Sequence, residues 1–231
     1  MEVRVFGRTG MQLSVLGFGC GAVGGLMVRG DPRDQERAIA RALAAGVNYF
    51  DTAVQYGSGE SEKNLGRILQ KLKSPNVIVG TKVRLPSASF DHIGDAVTGS
   101  LGGSLARLRR DRVDIFHLHN AITEAGGGET LSVQQVLDDV VPAFERLRQQ
   151  GKTRFLGLTA IGDTTTLRRV IDARAFESTG GLQYAQSVSG HGAAAELSGT
   201  GLRTAVRSHE ESRCRRHWDP RARRRRTVRI D

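Results

Sequence analysis

Along residues 1–178 the apolar positions alternate between two patterns. Short unbroken apolar runs read as buried strands, and apolar residues spaced by three and four read as helices with one buried face. The first clear helix is DPRDQERAIARALAAG, where Asp31 fits an N-cap, Pro32 the first helical position and Gly46 the stop. VNYFDTA (47–53) follows as a strand. GESEKNLGRILQKL sets Leu65, Ile68, Leu69 and Leu72 on one helical face. NVIVGTKV (76–83) is the next strand, and Ile93, Val97, Leu101, Leu105 and Leu108 mark a helix that Gly102 and Gly103 weaken. VDIFHLHN (113–120) is a strand. Ser132 caps a long helix running through Val133, Val136, Leu137, Val140, Phe144 and Leu147 to a stop at Gly151. TRFLGLTA (153–160) is a strand and TTTLRRVIDARAF (164–176) a helix. Ahead of these, EVRVFGRTGMQLSVLGFGCG predicts two short strands about a glycine turn.

Strands that alternate with helices in this way form repeated βαβ units, which require a parallel sheet with buried strands. The class is α/β, and the pattern admits two closures, an open doubly wound sheet or a (β/α)8 barrel. The Gly-rich GFGCGAVGG resembles a dinucleotide fingerprint, but that motif needs a helix opening directly on it. Met27–Gly30 is expected to intervene as loop, which favours the barrel. Cys20 in that segment reads as a small buried residue rather than a nucleophile.

Four polar residues fall where strands end. Asp51 closes the second strand, Tyr56 lies in the loop after it, Lys82 closes the third strand and His119 the fourth. In a barrel the strand C-termini all face one mouth, where active sites are built. A tyrosine beside a lysine is a workable acid, because the ammonium favours the phenolate. An aspartate can hold that lysine, and a histidine at the same mouth can donate a hydrogen bond to a carbonyl oxygen. The set suits proton delivery to a carbonyl during hydride transfer. His117 shares strand parity with His119 and reads as a core histidine or one backing the site.

FDTAVQYGSGESEKNLGRIL, TKV, VDIFHLHN, the opening GRTGMQLSVLGFGCG and GKTRFLGLTA together resemble the aldo-keto reductase family, in the right order and from residue 1 to about 178. The resemblance implies a TIM barrel, NADP(H) as hydride donor and a small-molecule aldehyde or ketone as substrate. It places the family's catalytic tetrad on Asp51, Tyr56, Lys82 and His119. The family's histidine lies five residues after an aspartate, which from Asp114 selects His119 rather than His117. After the fifth strand the family usually has Ser-Asn holding the nicotinamide carboxamide. This chain has Thr159, which can still bond the amide, and Ala160, whose side chain cannot.

Composition divides the chain. Residues 1–178 carry 23 Lys/Arg against 19 Asp/Glu, whereas residues 179–231 carry 11 against 5, so the tail supplies +6 of the net +10. All eight Phe lie at or before Phe176, and only seven of the last 53 residues are Val, Ile, Leu, Met or Phe. That share lies below the roughly 20% under which a segment struggles to form a core. The domains expected are therefore a partial barrel over 1–178 with five strands, and a disordered basic tail over 179–231. Two cysteines, Cys20 and Cys214, exclude a disulfide scaffold or a Cys-rich zinc module. The charged start and the lack of a long apolar run predict no signal peptide, no membrane span and a cytoplasmic protein.

RCRRHWDPRARRRRTVRID reads in three ways: a basic arm for nucleic acid or another polyanion, a solvated tail, or a stretch out of frame. The genetic code supports the third. Read one nucleotide later with permitted codon choices, Cys214 to Ile230 becomes AGVIGIRALAGGALSGS, an apolar strand and a Gly loop. The same offset turns Leu182 to Gly190 into YNMLNPSAG. These resemble the family's seventh and sixth strands, in order, with the shift near Ser178. The implied result is a barrel without its last strands or its phosphate-binding loops, hence an inactive or weakly folded chain, with nucleic-acid binding the lesser reading.

Overall fold

The computed structural model of the 231-residue chain describes residues 1–21 and 25–179. The readings of the basic tail and of the out-of-frame stretch from Leu182 to Gly190 lie outside the described residues.

The chain opens with an antiparallel hairpin, β1 (Val3–Val5) and β2 (Gln12–Ser14). Then come β3 (Phe18–Gly19), α1 (Leu26–Arg29), α2 (Pro32–Ala44), β4 (Tyr49–Asp51), α3 (Glu60–Lys71), β5 (Ile78–Val83), α4 (Ile93–Leu108) and β6 (Val113–Leu118). A small parallel pair, β7 (Ala121–Ile122) and β8 (Thr130–Leu131), precedes α5 (Val133–Gln135), a π-helical turn (Val136–Val140) and α6 (Val141–Gln149). β9 (Thr153–Leu158), α7 (Thr164–Asp172) and β10 (Ser178–Thr179) complete the described chain.

The six strands β10-β9-β6-β5-β4-β3 form one sheet in which every pairing is parallel. The strand-helix alternation is therefore borne out, and β10 extends the sheet one short strand beyond the five expected. Successive side chains point to opposite faces, and the two faces bury different clusters. Phe50, Val79, Phe116 and Leu156 pack toward the helices with Ile39, Leu65, Leu101 and Phe144. On the other face Tyr49, Ile115 and the flanking Ile78 and Phe155 meet Met11 and Leu13 of the hairpin. The hairpin also reaches the far edge of the sheet, where Arg8 Nη2 donates to the Phe176 carbonyl at 2.8 Å.

Local chemistry accounts for the helix ends. Asp31 caps α2 by accepting from the Arg33 and Asp34 amides, with Pro32 in the first turn. Ser132 and Gln135 form a reciprocal capping box. Two elements differ from expectation. The segment expected as loop at Met27–Gly30 is the short helix α1, whose Leu26 carbonyl and the Gly30 carbonyl after it are satisfied by the buried Gln35 amide at 2.9 and 3.2 Å. The long helix predicted after Ser132 carries the π-helical turn just before Pro142. Proline has no N–H to donate and its ring crowds the carbonyl four residues back, so the ladder widens there.

Candidate active site

Asp51 ends β4, Lys82 lies in β5 one residue from its end, and His119 directly follows β6, so all three stand at the C-terminal end of the parallel strands. Tyr56 comes from the loop between β4 and α3. The structure brings these side chains together. Lys82 Nζ donates to Asp51 Oδ2 at 2.6 Å, to the Thr52 carbonyl at 2.8 Å and to Tyr56 Oη at 3.3 Å. The ammonium also lies 4.9 Å from the centroid of the Tyr56 ring. The Tyr56 and His119 rings meet edge to face with centroids 6.3 Å apart.

Lys82 is 1% exposed. Burial by itself would push its ammonium down, but the charge of Asp51, the Tyr56 oxygen and hydrogen bonds to both outweigh burial and hold it above its ordinary value. It therefore stays charged. Burial, with Lys82 adding to it, pushes the His119 imidazole down to about 4 against the pull of Asp51. A neutral ring at pH 7 can donate from one nitrogen and accept at the other. The Cys20 thiol is driven up by burial and then by Asp51, which leaves it inert as its placement in the sequence implied.

Residues outside the expected set hold this cluster. Ser61, fully buried in the first turn of α3, donates to the Cys20 carbonyl at 2.8 Å and shares a 2.9 Å hydrogen bond with Thr52. Its amide caps the Tyr56 carbonyl at 3.2 Å. One helical turn thus holds both the side chain of Thr52, the residue whose carbonyl Lys82 uses, and the loop that carries Tyr56. Tyr49 Oη donates to the second oxygen of Asp51 at 3.1 Å. The sequence signal available for Tyr49 was its strand parity with Asp51, two residues on.

His117 sits beneath the cluster, in register with Lys82 on one side and Gly157 on the other. Gly157 gives it room, since a Cβ there would stand 2.2 Å from the His117 ring. Its Nε2 lies 3.2 Å from Ser178 Oγ. His117 is buried, and His119 is the ring that meets Tyr56.

Thr159 directly follows β9 and is nearly buried. Its hydroxyl donates to the Leu118 carbonyl at 3.1 Å, which leaves its oxygen lone pairs as acceptors. Two cavities of about 650 and 420 Å³ flank the Arg109–Asp111 turn at the opposite end of the strands, away from this chemistry.

The sequence profile of the Aldo/keto reductase family matches residues 15–182. L-galactose dehydrogenase of Arabidopsis thaliana is 36% identical over 163 residues, covering 70% of this chain and 49% of that protein. D-threo-aldose 1-dehydrogenase of a Pseudomonas species is 27% identical, over 71% of this chain and 55% of that protein. Among solved structures, a Bacillus halodurans aldo-keto reductase in its holo form superposes with a TM-score of 0.55 at 28% identity, covering 71% of this chain and 52% of the other. A Klebsiella pneumoniae aldo/keto reductase in complex with NADP and acetate gives 0.57 at 25% identity, covering 77% and 57%. The chain spans about half the length of the curated relatives it matches. With a parallel α/β sheet carrying Asp51, Tyr56, Lys82 and His119 at one end, the chain belongs to the aldo/keto reductase family.

Proposed function

We propose that these residues are the proton-donating half of an NADP(H)-dependent oxidoreductase that reduces aldehydes or ketones to alcohols in an eight-stranded barrel. The observation that carries this reading is the single ammonium of Lys82, 2.6 Å from Asp51 and 3.3 Å from Tyr56. When bound, NADP(H) supplies the hydride that the carbonyl carbon receives. Tyr56 Oη delivers the proton to the carbonyl oxygen, Lys82 stabilises the phenolate left behind, and Asp51 holds Lys82 in place. His119, neutral at pH 7, orients the carbonyl oxygen by a hydrogen bond. Thr159 fits the nicotinamide end, because its free lone pairs can accept from the carboxamide. Ala160 contributes only backbone there. The segment after β10, where the family's phosphate site would fall, lies outside the described residues.

We further propose that the reading frame shifts near Ser178, so that the 231-residue chain does not itself turn over. Two facts support this: the family match stops at residue 182, and the chain composition changes at the same place. Sequencing the gene across codon 178 and assaying the frame-restored protein test the reading. The restored protein should oxidise NADPH with an aldehyde or ketone, and the present chain should not. An intact frame, with a native mass of 25.0 kDa, would instead favour the polybasic arm for nucleic acid or another polyanion. NADPH-dependent carbonyl reduction by the present chain would overturn the inactivity while leaving Tyr56 as the acid.

A further inference from the structure

We propose that Tyr49 is a positioning residue for the Asp51–Lys82–Tyr56 cluster: its hydroxyl engages Asp51 Oδ1 and so fixes which carboxylate oxygen meets Lys82. The consequence for catalysis rests on the reading of Tyr56 as the acid.

Tyr49 and Asp51 stand two residues apart in β4, on the face of the sheet away from the helices, and both are nearly buried, at 1% and 4% exposure. Each carboxylate oxygen has its own donor. Tyr49 Oη lies 3.1 Å from Oδ1, and Lys82 Nζ lies 2.6 Å from Oδ2. The neighbouring backbone is cut back to admit the phenol. A Cβ on Gly80 would stand 2.5 Å from Tyr49 Oη, and one on Gly17 would stand 2.9 Å from Tyr49 Cδ1. Burial, then the charge of Asp51 and the hydrogen bond to it, hold the phenol well above its ordinary range, so the oxygen keeps its proton and acts as a donor.

The second donor matters because the final torsion of an aspartate is broad and roughly two-fold. A carboxylate held at one oxygen can turn about that torsion, and the lysine paired with it follows. The hydrogen bond from Lys82 to Tyr56 is the longest of its three, at 3.3 Å. It is the one most easily lost when the ammonium moves. With both oxygens held, the plane of the carboxylate is set and the ammonium is aimed at Tyr56 as well as at Asp51.

The test uses the 231-residue chain labelled with 15N-lysine, observed by NMR, and needs no turnover. The Lys82 ammonium is buried and has three acceptors, so it should give a slowly exchanging signal that disappears in Lys82→Met. In Tyr49→Phe, with its far-UV spectrum retained, that signal should shift and exchange with solvent about tenfold faster. Gly80→Ala keeps the hydroxyl but crowds it, and should act in the same direction. Ile115→Val, in the same interior cluster, removes packing only and should leave the signal in place. In the unmodified chain the Tyr49 hydroxyl proton should itself be protected from exchange. An unchanged Lys82 signal in both Tyr49→Phe and Gly80→Ala overturns the proposal, as does an unprotected Tyr49 hydroxyl in the unmodified chain. An equal shift in Ile115→Val would show general loosening and overturn it too. Failure of the reductase reading would appear separately, as absent NADPH oxidation in the frame-restored protein with the Lys82 signal unaffected.

Discussion

Glu62, fully buried in α3, accepts a 2.5 Å hydrogen bond from the hydroxyl of Thr81, the residue immediately before Lys82. Its other oxygen accepts from Arg107 Nε at 2.6 Å. A buried carboxylate is tolerated here because both oxygens are engaged and one partner is a cation. Glu62→Ala leaves Arg107, itself only 23% exposed, without its counter-charge. The variant should lose about 3 kcal/mol of stability, measured by urea unfolding. Thr81→Val, which removes one hydrogen bond, should cost less, about 1 kcal/mol.

The contact between α3 and α4 depends on a missing side chain. A Cβ on Gly66 would stand 2.5 Å from the Leu108 carbonyl oxygen and 2.7 Å from that of Arg107. These are backbone atoms and cannot step aside. Gly66→Ala should destabilise by about 2 kcal/mol. Gly102, also inside a helix, has nothing within 4 Å of the same position. Gly102→Ala should stabilise by up to about 1 kcal/mol, through helix propensity alone. Melting curves of the two variants should therefore move in opposite directions.

Stability should fall in acid because of His117. Burial pushes this ring down to about 4, with Asp51 pulling up and Lys82 pushing down. The unfolded ring titrates near 6.5. Between about pH 6.5 and 4 the unfolded chain therefore binds a proton that the native chain does not, and stability decreases as pH falls through that window. A displacement of this size corresponds to about 3 kcal/mol for this one ring. His117→Gln keeps a polar group beside Ser178 and does not titrate. It should reduce the slope of unfolding free energy against pH between 7 and 4, leaving the share that His119 contributes in the same window. A slope unchanged by the substitution would mean that His117 is not held neutral in the native state.

The convergence of Asp51, Lys82 and His119 was legible because strand ends are legible: each closes an apolar run, and parallel strands bring such ends together. The caps at Asp31 and Ser132 were equally readable, since capping is local chemistry. What supports the cluster was not. Tyr49 and His117 have room because Gly80 and Gly157 lack side chains on neighbouring strands, which depends on the register between strands rather than on alternation within one. Glu62 falls on the same helical face as Leu65 and Leu69, and spacing within that helix does not show that Arg107 of α4 balances its charge. The π-helical turn before Pro142 and the short helix at Leu26 answer to constraints that hydrophobic spacing does not carry, a missing amide donor in one case and the distant Gln35 in the other.

Tyr56, hydrogen-bonded to Lys82, is the residue proposed to donate the proton in carbonyl reduction. This role is tested most directly by comparing NADPH oxidation with an aldehyde in the frame-restored protein and in its Tyr56→Phe variant, alongside NADPH affinity measured by fluorescence. Turnover should fall by about a hundredfold or more, with NADPH affinity nearly unchanged, because the substitution removes only the donated proton. Turnover close to that of the unsubstituted protein, with NADPH still bound, would contradict that role.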